Sequence, residues 1–253
     1  MMGYEEYLKQ SIKDHKTGIR KNPVDEIGYK LKGHKFARKN GVKTTVIYGI
    51  YRRIEDVDWQ DLPFSFTIKP LKGCSESGVF PLVNKFSFGY MDILRNRTLT
   101  KEGIIKEFKS GNHSEGLWIE ELIADPIPYD WKIYTFNGRI GLIRQYDRAR
   151  KPKSTKFYNE NWVNVNVHKI ARTYQINNKL PEPYHKEELL EVARKLSKAV
   201  KYPFVRIDLY DTFNGVYFGE ITPHPGMEIT LNDLWNERLG VMWDLAIKEL
   251  RYE

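Results

Sequence analysis

Apolar and polar positions alternate in short runs along much of this chain, and a few longer stretches carry apolar residues at helical spacing instead. The segment NPVDEIGYKLKGHKFARKNG opens on Asn22-Pro23 and closes at Gly41, punctuation that predicts a helix over residues 25–39. KTTVIYGIY is β-branched and aromatic and predicts a strand, and IEDVDWQDLP after it reads as a short acidic helix or turn ending at Pro63. FSFTIKP is a second strand that breaks into the small-residue loop LKGCSESGV, and FPLVNKFSFGYMDI supplies a further strand or connector. A helix follows over TKEGIIKEFKSG, with Thr100 as its N-cap and Gly111 as its stop. GLWIEELIADP predicts a strand ending at Pro126, and DWKIYTFNGRIGLIRQYDR predicts a hairpin closed by Asn137-Gly138, a strong short-range turn signal.

ARKPKSTKFYNENWVNVNVH reads as a basic, aromatic loop. In HKEELLEVARKLSKAVKY, residues Leu189, Leu190, Val192, Ala193, Leu196 and Val200 form one stripe, so this is an amphipathic helix. FVRIDLYDTFNGVYFGEITPHPG, residues 204–226, predicts a hairpin turning near Asn214-Gly215, and LNDLWNERLGVMWDLAIKEL a closing helix. With no internal repeat, low-complexity tract or long linker, the pattern is that of a mixed α+β protein with at least two antiparallel sheets.

Composition narrows the function classes. The 253 residues are 41% hydrophobic and 29% charged, an ordinary globular balance. No apolar run is long enough to span a bilayer and the N-terminal stretch has no secretory apolar core, so cytoplasmic residence is the expectation. The single cysteine, Cys74, excludes an internal disulfide framework and a cysteine-based zinc site. A net charge of +8 invites a nucleic-acid partner, but the basic clusters at residues 30–43 and 144–156 carry no nucleic-acid fold signature. They fit solvated faces and a pocket for anionic small molecules equally well.

The 204–226 hairpin carries two acids, Asp208 and Glu220, on strands rich in Val, Ile, Tyr and Phe. Alternation puts Ile207 and Leu209 on one face and Asp208 on the other, with Phe218 and Thr222 expected beside Glu220. Two carboxylates side by side repel unless a proton or cation lies between them. A divalent ion with oxygen ligands, magnesium best of all, satisfies that requirement, and so does pairing with a nearby base such as Arg206. Upstream, Lys69 ends a strand directly before the Gly/Ser loop, a geometry suited to phosphate oxygens although not a Walker P-loop. His224, between two prolines, reads as a packing element rather than a base or ligand.

With Lys69, the loop and the two acids in this order, the chain resembles the ATP-grasp superfamily, and within it the TupA-like family associated with teichuronopeptide and capsule-type polysaccharide biosynthesis. The likeness runs over about residues 29–245. YKLKGHKFARKNGVKT is similar to the family's opening helix, VDWQDLPFSFTIKPLKGCSESGV to its strand, ATP lysine and phosphate loop, DWKIYTFNGRIGLI to its central hairpin, and VRIDLYDTFNGVYFGEITPHPG to its metal hairpin. The implied fold class is α+β, an ATP-grasp fold whose two α+β subdomains, with mainly antiparallel sheets, grip ATP. A smaller N-terminal lobe over residues 25–115 would carry the phosphate loop and a C-terminal lobe over residues 116–253 the metal hairpin.

The resemblance also implies roles. Lys30 and Lys69 would contact the ATP phosphates, with Gly73, Ser75, Ser77 and Gly78 in the loop closing over them. Glu120, Glu121, Leu122 and Ile123 would line the adenine and ribose pocket. Lys132 and Arg144 would face the γ-phosphate or an acyl phosphate, and Arg206 the acceptor carboxylate or the transferring phosphoryl group. Asp208 and Glu220 would hold Mg2+, with Thr222 at the position where many ATP-grasp enzymes place an Asn ligand, a departure that bears on a second ion. Tyr29 stands where an acid usually precedes the first lysine, and fewer than 30 residues precede Lys30, so a reduced N-terminal domain is expected. Acceptor binding then falls to the loop at residues 147–166, to a second copy of the chain or to a partner protein.

The implied reaction joins a small-molecule or glycan-linked carboxylate, a uronic acid above all, to an amine at the expense of ATP. Arg148, Arg150, Lys151, Lys153 and Lys156 are candidates to hold the anionic sugar. Competing readings are a kinase-like phosphotransferase on the same fold and a non-catalytic ATP-binding module. The acid-bearing hairpin weighs against a nucleic-acid binder.

Overall fold

The computed structural model describes all residues except 1, 19–22, 73–75, 112, 114, 124–126, 151, 172–173, 227–228 and 253, and leaves out the side chains of 23, 168–171, 229 and 252. In chain order it forms α1 (Tyr4–Thr17), α2 (Pro23–Ile27), α3 (Lys30–Lys39), β1 (Ile47–Tyr51), β2 (Ser65–Pro70), β3 (Phe80–Asn84), β4 (Tyr90–Asp92) and β5 (Arg97–Leu99). Next come α4 (Lys101–Ser110), β6 (Leu117–Glu121), β7 (Asp130–Phe136), β8 (Arg139–Asp147), β9 (Ser154–Tyr158), β10 (His168–Ala171) and β11 (Gln175–Ile176). The chain closes with α5 (Lys186–Val200), β12 (Val205–Thr212), β13 (Gly215–Thr222), β14 (Ile229–Leu231) and α6 (Asp233–Tyr252). Among the described residues no helix is long and apolar enough to cross a membrane.

Two compact units result. The smaller comprises residues 29–31 and 45–128, the larger residues 1–28, 32–44 and 129–253. The boundary expected near residue 116 therefore falls after Pro128 instead. The reason is that β6 lies inside the smaller unit's sheet, paired antiparallel to both β1 and β2.

That sheet runs β1-β6-β2-β3-β4-β5, every pairing antiparallel. Its core joins Phe66, Ile68, Phe80, Leu82, Leu117 and Ile119 to Ile104 and Phe108 of α4. Helix α4 starts as its sequence dictates: the Thr100 hydroxyl accepts from the Gly103 N–H at 3.1 Å, and Gly111 follows the last turn.

The larger unit holds a sheet in the order β11-β9-β8-β7-β12-β13, antiparallel except for β11 with β9, and a two-stranded β10-β14 pair. One face of the larger sheet buries Trp131, Ile133, Ile143, Ile207, Leu209 and Phe218 against the apolar stripe of α5. Tyr134, Phe136, Leu142 and Phe157, from the opposite face, pack with Tyr4 and Leu8 of α1 and Trp235, Leu239 and Trp243 of α6.

Three expectations are corrected here. The helix expected over residues 25–39 is two helices, α2 and α3, because the chain turns at Gly28, where an added Cβ would come within 3.2 Å of the Pro223 ring. The basic loop after β8 contains β9, a fully buried strand on the sheet. Phe218 does not share a face with Glu220: the register between β12 and β13 slips after Asp208, so Leu209 pairs with Phe218 and Gly219 is the extra residue of a bulge. A Cβ on Gly219 would approach the Asp208 carbonyl oxygen to 2.8 Å, which is why glycine occupies it.

Candidate functional site

Strand register in the larger unit lines up one transverse row of side chains. Arg144 of β8 lies opposite Lys132 of β7, Lys132 opposite Asp208 of β12, and Asp208 opposite Glu220 of β13. Lateral partners share a face, so four charged side chains run in order across four adjacent strands. Lys132, Arg144 and Asp208 are all buried, whereas the Glu220 side chain is 40% exposed.

Asp208 is the centre of this row. Its Oδ1 accepts from Arg206 Nε at 2.6 Å, and its Oδ2 accepts from Arg206 Nη2 and Lys132 Nζ, each at 2.6 Å. Burial alone would push the Asp208 carboxyl up, but the charges of Arg206 and Lys132 and their hydrogen bonds outweigh it and hold the group far below the usual carboxylate range. Burial would likewise lower Arg206, and Asp208 overrides it and raises the guanidinium. From Nη2, Arg206 also reaches Thr222 Oγ1 at 3.2 Å and Glu220 Oε1 at 3.4 Å, and Thr222 Oγ1 lies 3.2 Å from the same Glu220 oxygen. The sequence left metal binding and pairing with Arg206 both open for these acids, and the second is present.

Arg144 takes a different environment. Its Nε donates to Thr155 Oγ1 at 3.2 Å, and its guanidinium lies over the rings of Tyr174 and Tyr146 at 4.4 and 4.8 Å. Beyond Lys132 on β7, Asp130 is buried and pairs with Arg148, with Lys132 Nζ at 3.6 Å. Of the residues assigned to the anionic acceptor, Arg150 pairs with Asp147 at 3.1 Å, and Lys156 lies on the other face of the sheet from Arg144, bonded to the Leu180 carbonyl at 3.2 Å. Arg148, Arg150 and Lys156 therefore do not form one open loop patch, and Lys151 lies outside the described residues.

The smaller unit holds the second group. Lys69, near the end of β2, pairs with the buried carboxylate of Glu120 on β6, whose other oxygen accepts from Thr45 Oγ1 at 2.6 Å. Lys30 Nζ donates to the carbonyl of Pro70, the next residue along β2, at 3.1 Å. Lys30 is thus anchored at the end of β2 through the Pro70 carbonyl, and the buried Glu120 carboxylate holds Lys69 one residue earlier on the same strand. Glu121 Oε2 accepts from the Val46 N–H at 3.1 Å, and Leu122 and Ile123 follow half-buried.

Of the loop, Gly73 and Ser75 lie outside the described residues, as does Cys74. Ser77 Oγ lies 3.4 Å from His113 Nε2, and Gly78 adopts a φ of 71°, the left-handed region that favours glycine. Arg95 fixes this end of the loop by donating to the carbonyls of Glu76 and Val79, both at 3.0 Å. Thr45, Arg95 and Asp130 were not singled out from the sequence. Asp130, at i and i+2 with Lys132 on a strand, is the one whose spacing offered a signal.

The fold defined by these two units is the ATP-grasp fold. The D-alanine–D-alanine ligase of Bacillus anthracis matches with a TM-score of 0.57 at 16% identity, over 90% of this chain and 69% of that one. The VanG D-Ala:D-Ser ligase of Enterococcus faecalis matches with a TM-score of 0.54 at 15% identity, over 89% of this chain and 62% of that one. A purK N5-carboxyaminoimidazole ribonucleotide synthetase solved as its ADP complex matches at 0.51 and 10% identity, over 81% of this chain and 47% of its own length. No curated protein sequence matches the chain. The model of the TupA-like ATP-grasp family matches residues 11–243, and the chain belongs to that family.

Proposed function

We propose that this protein is an ATP-dependent, ADP-forming carboxylate–amine ligase whose carboxylate is a uronic acid of a surface polysaccharide or of its sugar-nucleotide precursor. The observation that carries this reading is the Arg144–Lys132–Asp208–Glu220 row, two cations beside two anions on adjacent strands, the first three of them buried. The D-alanine–D-alanine ligase fold was also solved with ATP, at a TM-score of 0.56, which supports ATP as the nucleotide.

Asp208, Glu220 and Thr222 offer only oxygen donors, a set that suits Mg2+. When bound, the ion would offset charge on the phosphates of ATP. Lys30 and Lys69 would hold phosphate oxygens, and the loop bearing Gly73, Ser75, Ser77 and Gly78 would exclude water from the reacting group. Glu120, Glu121, Leu122 and Ile123 would form the nucleoside side of the site.

In the reaction, an oxygen of the acceptor carboxylate attacks the γ-phosphorus of ATP, the bond to the β-phosphate oxygen breaks, and an acyl phosphate and ADP result. An amine then attacks the acyl carbon, phosphate leaves, and the amine proton passes to solvent. Lys132, Arg144 and Arg206 would position and neutralise the transferring phosphoryl group, the usual protein contribution to phosphoryl transfer.

Purified protein incubated with ATP and Mg2+, with and without a panel of uronates and amines, tests this by ADP release and product mass. ADP formed only when both co-substrates are present, with a product one water lighter than their sum, is the expected result. A phosphorylated acceptor would instead define a kinase. Tight ATP binding without turnover across the panel would define a binding module.

A further inference from the structure

Three side chains outside the charged row converge in the larger unit. His15, in the last turn of α1, places Nδ1 3.0 Å from Asp25 Oδ2, and His224, after β13, places Nε2 2.8 Å from Asp25 Oδ1. The two imidazole rings stack with centroids 4.6 Å apart and planes 28° from parallel. One ligand atom from each of the three residues lies within 4.8 Å of the others. The expectation that His224 is a packing element is therefore incomplete, because both of its ring nitrogens are engaged in polar contacts.

We infer that His15, Asp25 and His224 form a binding site for a divalent transition-metal ion, zinc in the first instance, through His15 Nδ1, His224 Nε2 and an Asp25 carboxylate oxygen. Two imidazole nitrogens and one carboxylate oxygen make a donor set of zinc type rather than magnesium type. Four-coordinate zinc with bonds of about 2.0–2.1 Å holds neighbouring ligand atoms roughly 3.4 Å apart. The separations of 3.0 Å from His15 to Oδ2 and 2.8 Å from His224 to Oδ1 involve the two different Asp25 oxygens, and with all ligand atoms within 4.8 Å of one another, side-chain shifts would bring both nitrogens to that spacing from one oxygen.

The outer contacts agree. Ser11 Oγ lies 3.0 Å from His224 Nδ1, the ring nitrogen turned away from Asp25. In the tautomer that carries its proton on Nδ1, that nitrogen donates to the hydroxyl and Nε2 offers its lone pair, the way ligating histidines are commonly oriented. Nε2 then faces a carboxylate oxygen at 2.8 Å, and a cation held by both would replace the proton that otherwise bridges them. Such an ion would fasten α1, α2 and the chain after Thr222 at one point. It stands apart from the ligase reading, which needs none of these three residues.

The test uses the full chain, stripped of metal and titrated with Zn2+ alone by calorimetry and with Co2+ by visible absorption. Wild type is expected to take up one equivalent at micromolar affinity or tighter and to give Co2+ bands of four-coordinate intensity. His15→Gln and His224→Gln should each weaken uptake about tenfold or more and abolish the bands. Glu220→Gln should retain both, which separates this site from the oxygen-ligand row. His15 lies on the exposed side of α1, so His15→Gln leaves the fold intact, with circular dichroism as the control. Absence of micromolar uptake in wild type, uptake unchanged in His15→Gln, or loss in Glu220→Gln would each overturn the site and leave the cluster bridged by protons alone.

Discussion

Lys132 and Asp208 project from directly opposite positions of β7 and β12, and their side chains meet at 2.6 Å with each residue less than a tenth exposed. Arg206 approaches the same carboxylate from its own strand. The acid therefore has two cationic partners, and losing either has a different consequence.

Lys132→Met keeps the bulk and removes one charge, and Asp208 still retains Arg206. Stability should fall by about 1–3 kcal/mol, short of the roughly 3–5 kcal/mol expected for Arg206→Met, which removes the two hydrogen bonds at once. Ligase turnover should drop by about 10²–10³ in Lys132→Met. Urea denaturation and ADP release measure the two effects, and an unchanged turnover would remove Lys132 from the reacting site.

Gly219→Val tests the bulge. The new Cβ would meet the Asp208 carbonyl and the Tyr210 ring at 2.8 and 3.1 Å, so β13 must shift relative to β12. A loss of about 1–3 kcal/mol is expected, together with weaker Mg2+-dependent ATP binding, because the bulge sets Glu220 opposite Asp208. Equilibrium denaturation and nucleotide titration with and without Mg2+ follow both. If binding weakens equally without the ion, the acids do not hold it.

Thr45→Val removes the hydroxyl that donates to Glu120 and leaves the buried pair with Lys69. A hydrogen bond to a charged group contributes about 1.5–3 kcal/mol. Stability should fall within that range, and KM for ATP should rise more than kcat falls as Lys69 loses its fixed position. Equal effects on both constants would contradict a role for Lys69 in binding.

Acid should act through carboxyls held low in the folded state. Asp208 is one, and Glu249 is another: hydrogen bonds from Arg139 first, and then from Asn137, set against partial burial, bring it to about 2. Because both folded values lie below the unfolded ones of about 3.9 and 4.3, the stability they contribute is complete above that range and is lost as pH falls through the folded values. For Glu249 the window runs from roughly pH 4.3 down to about 2. The stability difference between wild type and Glu249→Gln should therefore shrink as pH falls across it. A difference constant from pH 5 to 2 would show that the carboxyl is not held low.

The local features were legible in the sequence wherever a single residue type sufficed. Asn137-Gly138 closes β7 onto β8, Thr100 caps α4, and the apolar stripe of α5 is buried as its spacing dictates. Helix α1 was missed although Tyr4, Tyr7, Leu8 and Ile12 carry the helical spacing, because the surrounding residues are nearly all polar. Strand β9 was hidden by its basic setting and by Lys156, which is buried with its ammonium bonded to the Leu180 carbonyl and 4.8 Å from the Tyr158 ring centre. The face of Phe218 was misassigned because strict alternation cannot register a bulge. The site was legible as residue types, Arg206 beside Asp208 included, but the approach of Lys132 to Asp208 depends on a pairing between strands 76 residues apart, which no local pattern encodes.

That pairing has a consequence for how the chain assembles. The β7–β8 hairpin on its own sets Lys132 against Arg144, and the β12–β13 hairpin sets Asp208 against Glu220. The β7–β8 hairpin thus brings like charges face to face, which disfavours it as an independent early structure, whereas in the β12–β13 hairpin Arg206 of β12 bonds Asp208 and reaches Glu220. When β12 docks on β7, Lys132 gains Asp208 as its partner. The local conflict in β7–β8 rewards the long-range contact, so that hairpin should not persist alone in a partly folded chain.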